Sequence, residues 1–101
     1  MSVDEKEFSV TPSTTSFPSG KVTIEAKNTG TIHHELRVMR VNGDQREAIG
    51  VIEAFNPGET KSKEFTLTPG TYELSCQLAD QQGGQVINHY QMGMHTNVTV
   101  Q

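Results

Sequence analysis

Turn-forming clusters recur at short intervals along this 101-residue chain, and most of the gaps between them suit only short extended segments. The clusters are Thr11-Pro12-Ser13, Phe17-Pro18-Ser19-Gly20, Asn28-Thr29-Gly30, Asn42-Gly43-Asp44, Asn56-Pro57-Gly58 and Thr68-Pro69-Gly70. Between them the chain is rich in Val, Ile, Thr, Phe and Tyr, which suit a pleated, half-buried surface. Pro69-Gly70 fits the central pair of a type II turn, joining a strand near residues 61–67 to one near 71–77. No stretch carries a sustained helical stripe, and only residues 44–54 are expected to hold a short helix. The pattern predicts an all-β sandwich of about seven or eight strands, in one domain over residues 1–101.

Period-two alternation then assigns faces. Val22, Ile24 and Ala26 share one face against Thr23, Glu25 and Lys27. Leu36 and Val38 face inward and Glu35 and Arg37 outward; His34 has the inward parity and His33 does not. Tyr72, Leu74 and Cys76 share a face opposite Glu73, Ser75 and Gln77. Val98 and Val100 share theirs with Met94, which leaves His95, Asn97 and Thr99 outside. Three separate strands thus each aim one imidazole or sulfur donor at the apolar side.

Each of these donors has an ordinary alternative. A lone cysteine on an apolar face is usually a small buried hydrophobe, and methionine most often fills core space. A half-buried histidine is often satisfied by a backbone carbonyl. Cys76, however, is the chain's only cysteine, with His89 thirteen positions on and Met94 five beyond that. A thiolate in an apolar pocket is costly unless a cation compensates it. Two imidazoles, a thiolate and a thioether are the donor set of a blue-copper electron-transfer site. His34, Cys76, His89 and Met94 are therefore the candidate metal ligands, for one copper ion per chain, and no catalytic residue is assigned. His89 rests on its position between Cys76 and Met94. Met92 has the parity of Met94; Met94 is preferred for its spacing from His89 and for the strand that follows it.

The net charge of −4 and the lack of a Lys/Arg cluster argue against nucleic acid as a partner. The lack of a long apolar run argues against a membrane span. One thiol forms no internal disulfide, so cysteine usage leaves the compartment open. The start, Met1-Ser2-Val3-Asp4-Glu5-Lys6, lacks the basic and apolar regions of a signal peptide. Either the protein stays in the cytoplasm or this is a mature segment whose export signal has been removed; the expectation taken forward is a periplasmic or extracellular monomer.

Three segments together resemble the cupredoxins, specifically small plastocyanin-like blue-copper domains. They are Asn28-Thr29-Gly30-Thr31-Ile32-His33-His34-Glu35-Leu36, Pro69-Gly70-Thr71-Tyr72-Glu73-Leu74-Ser75-Cys76 and His89-Tyr90-Gln91-Met92-Gly93-Met94-His95-Thr96. The resemblance spans Gly20 to Val100. It implies a Greek-key sandwich holding copper near one end by His34, Cys76 and His89, with a longer, weaker bond to Met94. It also implies a type 1 copper protein that shuttles single electrons to a transient redox protein partner, through a His89 ring edge that reaches the surface. Two departures stand out. Residues 77–88 separate the cysteine from the second histidine where family members have only a few positions; this Gln-rich insert, with its Gly83-Gly84 pair, is expected to be a flexible excursion returning near Val86-Ile87. Glu35 follows the first ligand where many members carry an Asn that ties the ligand loops together, and it is expected to do similar work.

Cu(I) beside one thiolate is formally neutral and Cu(II) carries a unit positive charge, so an apolar surround pushes the reduction potential upward, as does a weak axial thioether. The alternative function is a copper carrier or storage module without redox work. An enzyme is not expected: no His-x-His pair is present for further copper ions, and a cysteine hydrolase would need a base and a cleft. A metal-free adhesion sandwich would leave three inward donors unexplained.

Overall fold

Alternating side chains in the longer strands bury one face of each and so build two sheets packed face to face. The computed structural model describes residues 1–82 and 84–101. Its strands are β1 (Ser2–Lys6), β2 (Ser9–Pro12), β3 (Ser16–Phe17), β4 (Gly20–Asn28), β5 (His34–Asn42), β6 (Gln45–Phe55), β7 (Thr60–Leu67), β8 (Gly70–Ser75), β9 (Ala79–Gln82), β10 (Gln85–Asn88) and β11 (His95–Val100). One sheet runs β2-β1-β4-β7 and the other β3-β11-β8-β5-β6, while β9 and β10 pair as a separate hairpin. The chain passes from sheet to sheet at β4–β5, β6–β7 and β7–β8, the Greek-key habit expected from the sequence. The short strands β2, β3, β9 and β10 account for the excess over the expected seven or eight.

The predicted inward faces form the core. Ile24 and Ala26 of β4, Leu36 and Val38 of β5, Phe65 and Leu67 of β7, Tyr72 and Leu74 of β8, and Val98 and Val100 of β11 are all buried. Each large apolar side chain so buried contributes roughly 1.5–3 kcal/mol. Thr23, Glu25 and Lys27 lie on the exposed side as predicted. Glu73 and Ser75 take the opposite face from Leu74 but are buried as well. The outer face of β8 is covered: the Tyr90 hydroxyl donates to the Glu73 carboxylate at 2.8 Å, and the Arg46 Nε lies 3.7 Å from it.

The helix expected over residues 44–54 is instead most of β6. The β5–β6 ladder carries two register shifts, which interrupt the alternation that would have marked a strand. His34 pairs with Phe55 and Leu36 with Ile52, so three steps on β6 match two on β5, and Ile52 and Phe55 both turn inward. A bulge thereby imitates the i, i+3 spacing of a helix. The turn chemistry also differs from expectation. Pro57-Gly58 forms the tight turn, with the Glu59 amide donating to the Asn56 carbonyl at 3.0 Å and Gly58 at φ +84°, the geometry of type II. Gly70 is already the first residue of β8, and Thr68-Pro69 carries the chain across to the second sheet.

Candidate metal centre

Strand ends and their connections gather at one end of the sandwich. His34 opens β5, Cys76 follows β8, His89 follows the β9–β10 hairpin, and Met94 precedes β11. Backbone bonds lock these segments together: the Cys76 amide donates to the Met94 carbonyl at 3.0 Å, the His89 amide to Leu78 at 2.9 Å and the Met94 amide to His89 at 3.1 Å. One ligand atom each from His34, Cys76 and His89 lies within 4.8 Å of the other two, and all three residues are buried. The Cys76 sulfur is 3.4 Å from His89 Nδ1 and 3.9 Å from His34 Nδ1. Met94 is fully buried and Met92 is 53% exposed, so only Met94 belongs to the interior beside these residues.

The sequence reading missed two carboxylates that complete this arrangement. His34 Nε2 lies 3.0 Å from Glu7 Oε1, and His89 Nε2 lies 2.6 Å from Asp80 Oδ2. An ionised carboxylate only accepts, so each ring must carry its proton on Nε2, which leaves a lone pair on Nδ1 facing the sulfur. The two ring nitrogens and the sulfur thus present three convergent electron-pair donors. That chemistry fits a soft or borderline metal ion, and it is the arrangement by which outer carboxylates orient histidine ligands.

Both carboxylates are themselves fixed. Glu7 accepts the backbone amides of Thr31 and Ile32. Its partial desolvation is outweighed by these bonds and by His34, and its pKa falls to about 2. A Cβ at Gly30 would collide with the Glu7 carboxylate, which is why the Asn28-Thr29-Gly30 turn ends in glycine. Buried Asn28 holds the same turn, donating to the Ile32 and Phe55 carbonyls and accepting from the Gly30 amide. Asp80 Oδ1 meets His33 Nε2 at 2.7 Å. Desolvation would raise the Asp80 pKa, but its bonds to His89 and His33 prevail and lower it. Burial is the main cause that lowers the His34 pKa, keeping its ring neutral and able to bind metal. Burial also pushes the Cys76 thiol up to about 11, so a cation must displace its proton before the sulfur can bind as thiolate.

Several expectations are met and two are corrected. Glu35 does bridge the ligand loops: its carboxylate accepts the Gln77 amide at 3.3 Å, and its own amide points at the Cys76 sulfur at 3.5 Å. His33 and His95 lie on the outside as predicted, His95 stacked on Tyr90. The His89 edge does not reach the surface. The ring is fully buried, tilted against Phe8 at 5.4 Å, with Asp80 of the insert across Nε2. The insert is not a loose excursion either: residues 79–82 pair with 85–88 as a β-hairpin. Gly83 of the insert lies outside the described residues.

With the fold and pocket in view, the architecture is that of the cupredoxins. Solved structures that share it include the following two. Dithionite-reduced auracyanin from the photosynthetic bacterium Roseiflexus castenholzii matches with a TM-score of 0.70 and 21% identity, over 99% of this chain and 94% of that one. A purple cupredoxin from Nitrosopumilus maritimus matches with a TM-score of 0.64 and 18% identity, over 99% and 98% of the two chains. No protein-family model matches the sequence, and no curated protein matches it.

Proposed function

We propose that this chain is a type 1 copper protein that carries single electrons between redox partners outside the cytoplasm, as a monomer and without catalytic chemistry of its own. The observation that carries the reading is the mutual approach of His34 Nδ1, Cys76 Sγ and His89 Nδ1 within 4.8 Å in a buried pocket, with both remote ring nitrogens occupied by carboxylates. His34, Cys76 and His89 would hold the ion, and Met94 would supply a weaker thioether donor. When bound, copper supplies a one-electron couple.

The chain's own contribution is rigidity and insulation. His34 opens a sheet strand, Cys76 and Met94 flank strand ends and His89 directly follows the paired hairpin, which keeps them nearly fixed in both oxidation states. Contact with the surface runs from His89 through Asp80 to His33, whose side chain is 45% exposed. A transient protein partner would dock over this path in place of a bare His89 edge. The alternative, a copper carrier or storage module, would exchange the ion itself and have no need of a fixed site. Protein-film voltammetry with a self-exchange measurement separates the two. A reversible one-electron wave with rapid exchange supports the electron carrier. Sluggish exchange, or binding of Cu(I) alone, overturns it in favour of delivery.

A further inference from the structure

We propose that Glu7 and Asp80 bias bound copper toward its divalent state and so set the reduction potential lower than the apolar pocket alone would. The inference rests on the copper reading above. Each of the two candidate ring ligands turns Nδ1 to the Cys76 sulfur and donates a hydrogen bond from Nε2–H to a carboxylate, at 3.0 Å for Glu7 and 2.6 Å for Asp80. Neither carboxylate is a chance neighbour. Glu7 is clamped by the Thr31 and Ile32 amides, and Asp80 is shared between His89 and His33.

The direction of the bias follows from charge. Beside the Cys76 thiolate, Cu(II) leaves one net positive charge and Cu(I) leaves none. With two carboxylates behind the rings, the oxidised site carries one net negative charge and the reduced site two. Adding the electron therefore works against charge already in place, on carboxylates only 23% and 22% exposed that are bonded directly to fully buried rings. A carboxylate on Nε2 also raises the basicity of the ring, which strengthens its hold on the more Lewis-acidic ion. The couple is Cu(II) plus one electron giving Cu(I). The electron comes from an external one-electron donor such as ferrocyanide, and no proton is transferred. The same bias disfavours a role in carrying Cu(I), the ion that this pocket would hold less well.

Asp80→Asn and Glu7→Gln remove the charges yet keep an oxygen able to accept from Nε2. Spectroelectrochemical titration of the copper-loaded proteins reads the Cu(II)/Cu(I) ratio at a fixed applied potential. Thermal unfolding of the copper-free proteins reads the fold. Each variant is expected to shift the ratio at least tenfold toward Cu(I), a rise of about 59 mV or more for a one-electron couple. The double variant shifts it further, and the intense sulfur-to-copper absorption persists throughout. A structural role alone would lower the melting temperature and leave the potential in place. An unchanged or lowered potential in the variants, with that absorption intact, overturns the proposal. If Glu7→Gln fails to fold because it loosens the 30–32 turn, Asp80→Asn decides alone. Wild-type protein that never develops the absorption overturns the copper reading itself, so the two failures are told apart.

Discussion

At the scale of single residues, Met92 and Met94 are set apart by burial where parity does not separate them. Both have the same strand parity, but Met94 is fully buried beside the ligand segments and Met92 projects into solvent. Met94→Leu in the copper-loaded protein should keep the colour and raise the potential; Met92→Leu should change neither, as read by absorption and voltammetry. Glu5 makes a different point. Its side chain is fully buried on the same face of β1 as Val3, and neither carboxylate oxygen has a hydrogen-bond partner among the described residues. Desolvation first, and then the charge of Glu35, raise its pKa from 4.5 to about 9. Below pH 4.5 both folded and unfolded chains hold the proton and Glu5 costs least. As pH rises toward 9 only the unfolded chain releases it, and folding loses up to about 1.4 kcal/mol per pH unit. Glu5→Gln should therefore flatten this slope, with a gain over the native protein that grows from pH 5 to pH 9 in urea unfolding. Equal slopes for the two proteins would contradict it. The candidate donors His34, Cys76 and Met94 were legible because alternation aims them inward, and His89 only from its position between Cys76 and Met94. Glu7 and Asp80 were not, because each reaches its histidine from a turn or an insert that carries no periodic signal.

At the scale of elements, alternation was reliable wherever a strand ran unbroken. β4, β5, β8 and β11 present the predicted inward residues, and the Asn28-Thr29-Gly30 and Gly70-to-Cys76 motifs sit where the resemblance put them. β6 failed because its bulges disrupt the period of two, and a bulge is written in the partner strand as much as in its own sequence. The insert was misread because glutamine and glycine favour no element; its hairpin is held by cross-strand pairs such as Asp80 with Ile87. The hairpin also relocates the contact between pocket and solvent from His89 to His33. His33→Ala should slow electron self-exchange several-fold, measured by NMR line broadening in mixed oxidation states, with a smaller shift in potential than Asp80→Asn. An exchange rate equal to wild type would place the route elsewhere.

For the whole molecule, the core and the pocket are largely separate achievements. Among the described residues, seventeen apolar ones, including Cys76 and Met94, form one buried cluster that spans both sheets. The sandwich is therefore expected to fold cooperatively without metal, and copper to raise the melting temperature by its binding to the folded state alone. Equal melting temperatures for the copper-free and copper-loaded proteins would contradict that. Beyond this, the account depends on His34, Cys76 and His89 gripping one ion together through the Cys76 sulfur. The visible absorption spectrum of the protein loaded with one equivalent of Cu(II) tests this most directly. An intense sulfur-to-copper band that vanishes in Cys76→Ser is the predicted result; a pale complex, or a band that survives the substitution, would contradict it.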